Sequence, residues 1–170
     1  SAPLLCIGKA WALALMQRGT RRGEVDLVLE AAGQALDRVN AGGDLRDLVA
    51  GHTASLRAFL LRSPWTDETR ERLLLLSQEA QRLLPVEEKA IRSTADLNIG
   101  YGYLALADLG AASLAFKQTL EDGLAGGNFY AAIYGPINLV IITLLMGNLK
   151  EALQLCETYI EQFNHILAGK

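Results

Sequence analysis

Cysteine, proline and an excess of either charge are scarce in this chain, and each shortage excludes something. Cys6 and Cys156 are the only cysteines in 170 residues and lie at opposite ends. They form neither a CxxC metal knuckle nor a disulfide framework, and a reducing, cytoplasmic setting fits them. Sixteen basic residues stand against nineteen acidic ones, for a net charge of −3. The tight basic cluster Arg18, Arg21 and Arg22 is followed at once by Glu24 and Asp26. The basic surplus that neutralises DNA phosphates is therefore missing, and direct nucleic-acid contact is not expected. The longest apolar stretch, Ile137 to Met146, is interrupted by Asn138 and Thr143. It falls short of the ~20 residues of a membrane span. The apolar opening Pro3 to Met16 is split by Lys9 and no small-residue cleavage site follows, so neither a signal peptide nor a membrane anchor is expected. Ser1-Ala2 reads as a cloning scar, which would make the chain an excised segment.

Catalytic constellations are missing too. The two histidines, His52 and His165, stand in different helical segments, with Leu56 and Gly169 four residues on instead of a Cys or a carboxylate. His52 is expected to be a surface or half-buried residue of its helix. Cys6 and Cys156 read as packing residues, as do Trp11 and Trp65, while Glu68, Glu71, Glu87 and Glu88 read as solvated helix starts. No nucleophile–base pair, paired carboxylates or metal set emerges, and no GxxxxGK[ST] string is present to cradle phosphates. The expectation is a binding chain, not an enzyme, with no cofactor and no metal.

What the chain does hold is helix. Four prolines leave room for long helices, 51% of residues are hydrophobic, and Leu and Ala dominate, at low side-chain entropy cost. Turn signals at Gly19 to Gly23, Gly42-Gly43, Ser63 to Thr66, Leu84-Pro85, Gly110, Gly126 to Asn128 and Gly147-Asn148 separate eight apolar-periodic segments. Short breaks between helices imply antiparallel hairpins, expected at about 3–40, 44–84, 87–126 and 129–167. Thr66 is expected to cap a helix that opens with Asp67 and Glu68, after Ser63 and Pro64 have ended the preceding one. Glu87-Glu88 is expected to open the helix after Pro85, and Asp44 to cap the helix that carries His52 and Arg57.

The hairpins repeat. Ile99 and Leu139, Ala112 and Ala152, Phe116 and Cys156, and Leu120 and Ile160 are each 40 residues apart. Gly110 falls near the turn matched by Lys150. A period of this size marks a helical array in which no repeat buries its apolar face alone. The first two hairpins are less regular. In the third, Asn98-Ile99-Gly100, Tyr103, Ala112, Phe116 and Leu120 resemble the tetratricopeptide repeat. There a small residue in the first helix admits the second, which fills the gap with Ala and Phe. The chain departs from that pattern at Ala107, where the family usually has Gly, at Thr119, where it prefers Ala, and at Val140, which replaces the small residue in the fourth hairpin. The fold expected is an all-α, right-handed superhelical solenoid of about four hairpins.

A wider resemblance rests on Lys9 to Leu15, Leu56 to Leu60, Leu83-Leu84-Pro85 with Arg92, Leu97 to Gly100, and Gly127 to Ile133. In their order and spacing over residues 9 to 165, these strings are similar to the superhelical sensor region of the large ATP-dependent LuxR-type transcription regulators, the group of the maltose-system activator. The resemblance implies a sensor segment lying between a nucleotide-binding switch module and a helix-turn-helix, neither present here. Its partners would be a small-molecule inducer or regulatory protein and the rest of its own regulator. A free-standing scaffold for a peptide or partner protein is the alternative.

Stacked hairpins curve, with the first helices on the concave side, which directs attention to residues 3–18, 44–62, 87–107 and 129–146. Thr94, Leu97, Asn98, Tyr101 and Ala105 share one helical face, and Tyr134, Ile137, Asn138, Ile141 and Leu145 share the next. An apolar wall with a few amides and phenols suits a small ligand. The candidate ligand-binding residues are Arg57, Asn98, Tyr101, Tyr134 and Asn138. The structural alternatives are bonds to a neighbouring helix for Asn98 and Asn138, the inter-repeat seam for Tyr101 and Tyr134, and a buried salt bridge for Arg57. The apolar fourth hairpin is either a ligand wall or an uncovered end that pairs two copies into a dimer.

Overall fold

A computed structural model describes residues 1–17, 22–62 and 66–168, without the side chains of Gln17, Arg22 and Leu167. The described residues form eight α-helices and no strand. These are α1 (Ala2–Gln17), α2 (Arg22–Arg38), α3 (Gly43–Leu60), α4 (Asp67–Leu83), α5 (Lys89–Ala105), α6 (Leu109–Gly126), α7 (Phe129–Leu145) and α8 (Leu149–Leu167). The expected turn at Gly19 lies outside the described residues, as do Arg18, Arg21, Ser63, Pro64, Trp65 and Gly169.

The helix ends follow local chemistry. Thr66 caps α4: its hydroxyl accepts from the Thr69 amide and the Thr69 side chain returns the bond to the Thr66 backbone, a reciprocal capping box. Asp108 and Asn128 cap α6 and α7 by accepting from the amides of Ala111 and Ala131. Three expected boundaries shift. Asp44 does not cap α3; Gly42 takes the cap position without a side-chain bond, and Asp44 sits inside the first turn, where its charge meets the dipole alone. Glu87 and Glu88 precede α5, because the chain after Pro85 turns through bonds from the Glu88 amide to the Pro85 carbonyl and from the Lys89 amide to the Glu87 carbonyl. Gly110 lies within α6; the turn before it is made by Ala107, a non-glycine residue at φ 58°.

Each helix packs on its neighbours in sequence, and the first helix of each pair also touches the next first helix, as α1 on α3, α3 on α5 and α5 on α7. Among the described residues the second helices α2, α4, α6 and α8 do not touch one another. So α1, α3, α5 and α7 form one continuous layer, with the second helices standing apart behind it. Three core clusters run in series. Ile7, Val25, Leu29 and Leu56 join α1 to α3; Ala54, Ala80, Leu84 and Ala95 join α3 to α5; Leu97, Phe116, Leu139 and Ile142 join α5 to α7.

The close approach expected within the third hairpin is present. A Cβ on Gly100 would lie 2.4 Å from the ring of Phe116, which is fully buried. Gly135 makes the same allowance for α7, where a Cβ would lie 2.7 Å from the Phe116 carbonyl oxygen.

Candidate functional site

The first-helix layer gathers a polar and aromatic cluster around Arg62. This residue follows Leu61, the C-terminal cap of α3, so its side chain leaves the helix end and reaches α5 and α7. Its Nε donates to Asn98 Oδ1 at 2.7 Å, and its Nη1 donates to the Tyr130 hydroxyl at 3.1 Å. The guanidinium lies 4.8 Å from the ring centre of Phe59, 5.1 Å from Tyr101 and 5.9 Å from Tyr130, within reach of cation–π attraction. Nη2 is sealed from solvent and has no hydrogen-bond partner. Burial holds the guanidinium below its ordinary pKa, and the nearby Tyr130 and Tyr101 oppose that shift.

The rings extend the cluster along the layer. Trp11 of α1 lies 6.0 Å from Phe59, Phe59 meets Tyr130 edge-on at 6.4 Å, and Tyr130 lies 4.5 Å from Tyr134. Tyr101 meets Phe116 edge-on at 5.6 Å. Its hydroxyl accepts from Asn138 Nδ2 at 3.2 Å, while the same Nδ2 donates to the Tyr134 carbonyl at 2.7 Å. Burial pushes the Tyr101 hydroxyl above its ordinary pKa, and the Asn138 bond and Arg62 draw it back. Four of the five candidates, Asn98, Tyr101, Tyr134 and Asn138, therefore meet in one connected cluster.

Arg57 does not join them. It is exposed, and it lines a shallow groove of about 160 Å³ with Asp26, Arg72 and Leu76. Among the described residues it forms no buried salt bridge: an exposed guanidinium keeps its hydration and has no need of a buried partner. Arg62 lies five residues further, about 140° round the helix, and is the arginine that reaches the cluster. Arg62, Phe59 and Tyr130 were not singled out from the sequence. One usable signal was the i, i+3 spacing of Phe59 and Arg62 at the end of a first helix.

Two further features sit outside the cluster. His52 is half-buried, with Nε2 3.9 Å from Glu88 Oε2; burial lowers its pKa and Glu88 raises it. Between α7 and α8 lies an apolar groove of about 430 Å³ lined by Ile137, Val140, Cys156, Tyr159, Ile160 and Phe163, among others. Among the described residues no group of three His, Cys, Asp or Glu is placed to hold a metal ion, and no helix is long and apolar enough to cross a membrane. Compared with known family models, curated proteins and solved structures, the chain matches none.

Proposed function

We propose that this chain is a ligand- or protein-binding sensor domain of a bacterial ATP-dependent LuxR-type transcription regulator, working in the cytoplasm. In this reading the eight helices are four tetratricopeptide-like hairpins of a right-handed superhelix. The first-helix layer is its concave face, because the second helices stand apart while the first helices touch. The observation that carries the binding role is the convergence of Trp11, Phe59, Arg62, Asn98, Tyr101, Tyr130, Tyr134 and Asn138 from four separate first-helix segments onto that layer. Aromatic walls with a few aimed polar groups are the usual make-up of a small-ligand site. A ligand bridging successive hairpins would favour one curvature of the array and bias a switch module elsewhere in the regulator by population shift. The domain binds; the chemistry and the operator contact belong to other modules of the regulator.

Thermal unfolding against a broad metabolite panel tests this. A true ligand raises the melting midpoint with concentration, by about 2.7 kcal/mol of stability at a hundredfold excess over Kd. Tyr101→Ala abolishes the shift while leaving the chain folded. No shift from any compound counts against the concave-face reading. The regulator assignment has its own check: a nucleotide-binding module and a helix-turn-helix encoded in the same reading frame support it, and a frame of about this length alone overturns it. The α7–α8 groove favours a second reading, a scaffold that takes a partner protein or a second copy on its apolar fourth hairpin.

A further inference from the structure

Arg62 is a partly buried cation, its Nη2 sealed from solvent, that the described residues leave without an anion. This chain does pair buried charge elsewhere. Asp122, almost wholly buried, receives Lys89 Nζ at 2.7 Å, and the Arg92 guanidinium lies close enough to the buried Asp96 carboxylate to stabilise its charge. Arg62 is held only by an amide oxygen, a phenol and three ring faces. Such neutral groups offset part of the cost of removing a guanidinium from water, and the rest stays unmet.

A second orphan stands beside it. Asn98 is fully buried, and its Nδ2 has no acceptor. The orientation of this amide is fixed by chemistry: Arg62 Nε can only donate, so the amide oxygen must face it and Nδ2 must point elsewhere. Arg62 Nη2 and Asn98 Nδ2 are thus two buried donors in one cluster, both lacking an acceptor. What completes the site is an acceptor, and one that carries negative charge.

We infer that Arg62 anchors the carboxylate of an aromatic or similarly flat apolar monoacid, with the Tyr130 hydroxyl holding its place in the free protein. The inference rests on the reading of the first-helix layer as a binding face, and it names the ligand class. Three observations select the class. The planar Nη1–Nη2 edge matches the two oxygens of a carboxylate, and one of its two ends is held by Tyr130 while the other is empty. One guanidinium balances one negative charge, which disfavours a phosphate dianion. The surroundings are ring faces and exposed apolar side chains, with Tyr130, Ile133, Tyr134 and Ile137 all partly open on α7. Tyr130 stands in the first turn of α7 and is 42% exposed, so its ring has room to swing aside and release Nη1 to the incoming oxygen.

Calorimetric titration with three probes decides it: sodium benzoate, neutral benzamide of the same shape, and inorganic phosphate. Benzoate is expected to bind saturably, and benzamide and phosphate at least about tenfold more weakly, since a hydrogen bond to a charged group is worth about 1.5–3 kcal/mol. Arg62→Gln abolishes benzoate binding without lowering the melting midpoint, because it removes a charge that had no anion beside it while Gln keeps a donor for Asn98. Arg62→Lys keeps the charge but not the fork, and binds several-fold more weakly. Tyr130→Phe binds several-fold more tightly, the competing phenol being gone. Benzoate binding that fails, that benzamide equals, or that survives Arg62→Gln overturns the anion assignment. So does a collapse in stability on Arg62→Gln, which would make Arg62 a strut. A Tyr101-dependent hit in the metabolite panel would leave the binding face standing in each of those cases.

Discussion

The third and fourth hairpins are the same device built 40 residues apart and filled in opposite ways. In the third, Gly100 leaves a hole and Phe116 fills it completely; in the fourth, the same positions hold Val140 and Cys156. The exchange moves bulk from the second helix to the first, and a short thiol does not reach as far as a phenyl ring. The consequence is visible one layer out. Leu97 is fully buried, while its counterpart Ile137 is 46% exposed, and the groove of about 430 Å³ opens along Val140, Cys156 and Ile160. Within the fourth hairpin α7 and α8 pack less closely than the two helices of any other pair. The third hairpin is clamped by neighbours on both sides and works as the fixed wall behind Tyr101. The fourth, carrying Tyr130 and Tyr134, is the more loosely packed side.

The most damaging way to probe this contrast is to truncate both members of the repeat position. Phe116→Ala should cost about 3–5 kcal/mol, the usual loss for a fully buried ring. Cys156→Ala should cost less than about 1 kcal/mol, since its site is already open on one side. Urea denaturation of the two variants gives the comparison directly. Equal losses would mean that the fourth hairpin is as tightly packed as the third.

A second contrast lies at positions 96 and 136. Asp96 is buried among Asp122 and Lys89, with Gln81 Nε2 donating to its Oδ1 at 2.6 Å and Arg92 nearby. Burial first, and then Asp122, raises its carboxyl from 3.8 to about 7. The fourth hairpin has Pro136 there, with nothing to titrate. A carboxyl with a raised native value binds its proton more tightly in the folded state than in the unfolded one. Its contribution is therefore complete below the unfolded value and is lost as pH rises toward the native value. Stability should fall steadily from about pH 4, losing about 1.5 kcal/mol between pH 5.5 and 7, and level off above pH 7. His52 works in the opposite sense: burial lowers its value, so its contribution is lost as pH falls through that lowered value. The difference between wild-type and Asp96→Asn stability curves isolates the carboxyl. Parallel curves would show that Asp96 titrates normally.

These contrasts also show what was legible before the structure. The eight helices and the Thr66 cap follow from local rules acting over a few residues, the Gly100–Phe116 fit follows from the repeat pattern the third hairpin resembles, and all three appear in the fold. The candidate face was half legible: helical period placed Asn98 with Tyr101, and repeat spacing placed Asn138 opposite. Arg62 was hidden because it stands beyond the cap of α3, where period no longer says which way a side chain points. Arg57, inside the helix, drew the attention because a charge among apolar neighbours looks buried. Its helical phase turns it outward instead. Asp44 and Gly110 misled for a simpler reason, since a capping residue and a turn residue are both tolerated within a first helical turn.

The smallest contrast is also the cleanest. Ala107 and Gly147 occupy the same turn in the two hairpins, at φ 58° and 81°. The bonds around them correspond: Ala107 N to Leu104 O and Asp108 N to Tyr103 O in one, Gly147 N to Leu144 O and Asn148 N to Thr143 O in the other. One backbone shape is thus held by glycine in the loose hairpin and by alanine in the tight one. For an L-residue the left-handed region costs about 1–2 kcal/mol, and a glycine there gives back about 0.4–1 kcal/mol through its freer unfolded chain. Ala107→Gly should therefore stabilise by about 0.5–1 kcal/mol, and Gly147→Ala should destabilise by a similar amount. For a chain of this size that is a shift of about 2–4 °C in Tm per kcal/mol, in opposite directions for the two variants. A loss on Ala107→Gly would mean that the Ala107 methyl is held by its neighbours and that the tight hairpin carries no strain at its turn. A gain would place about 0.5–1 kcal/mol of strain in the turn of the better-packed hairpin, held there by the packing behind it.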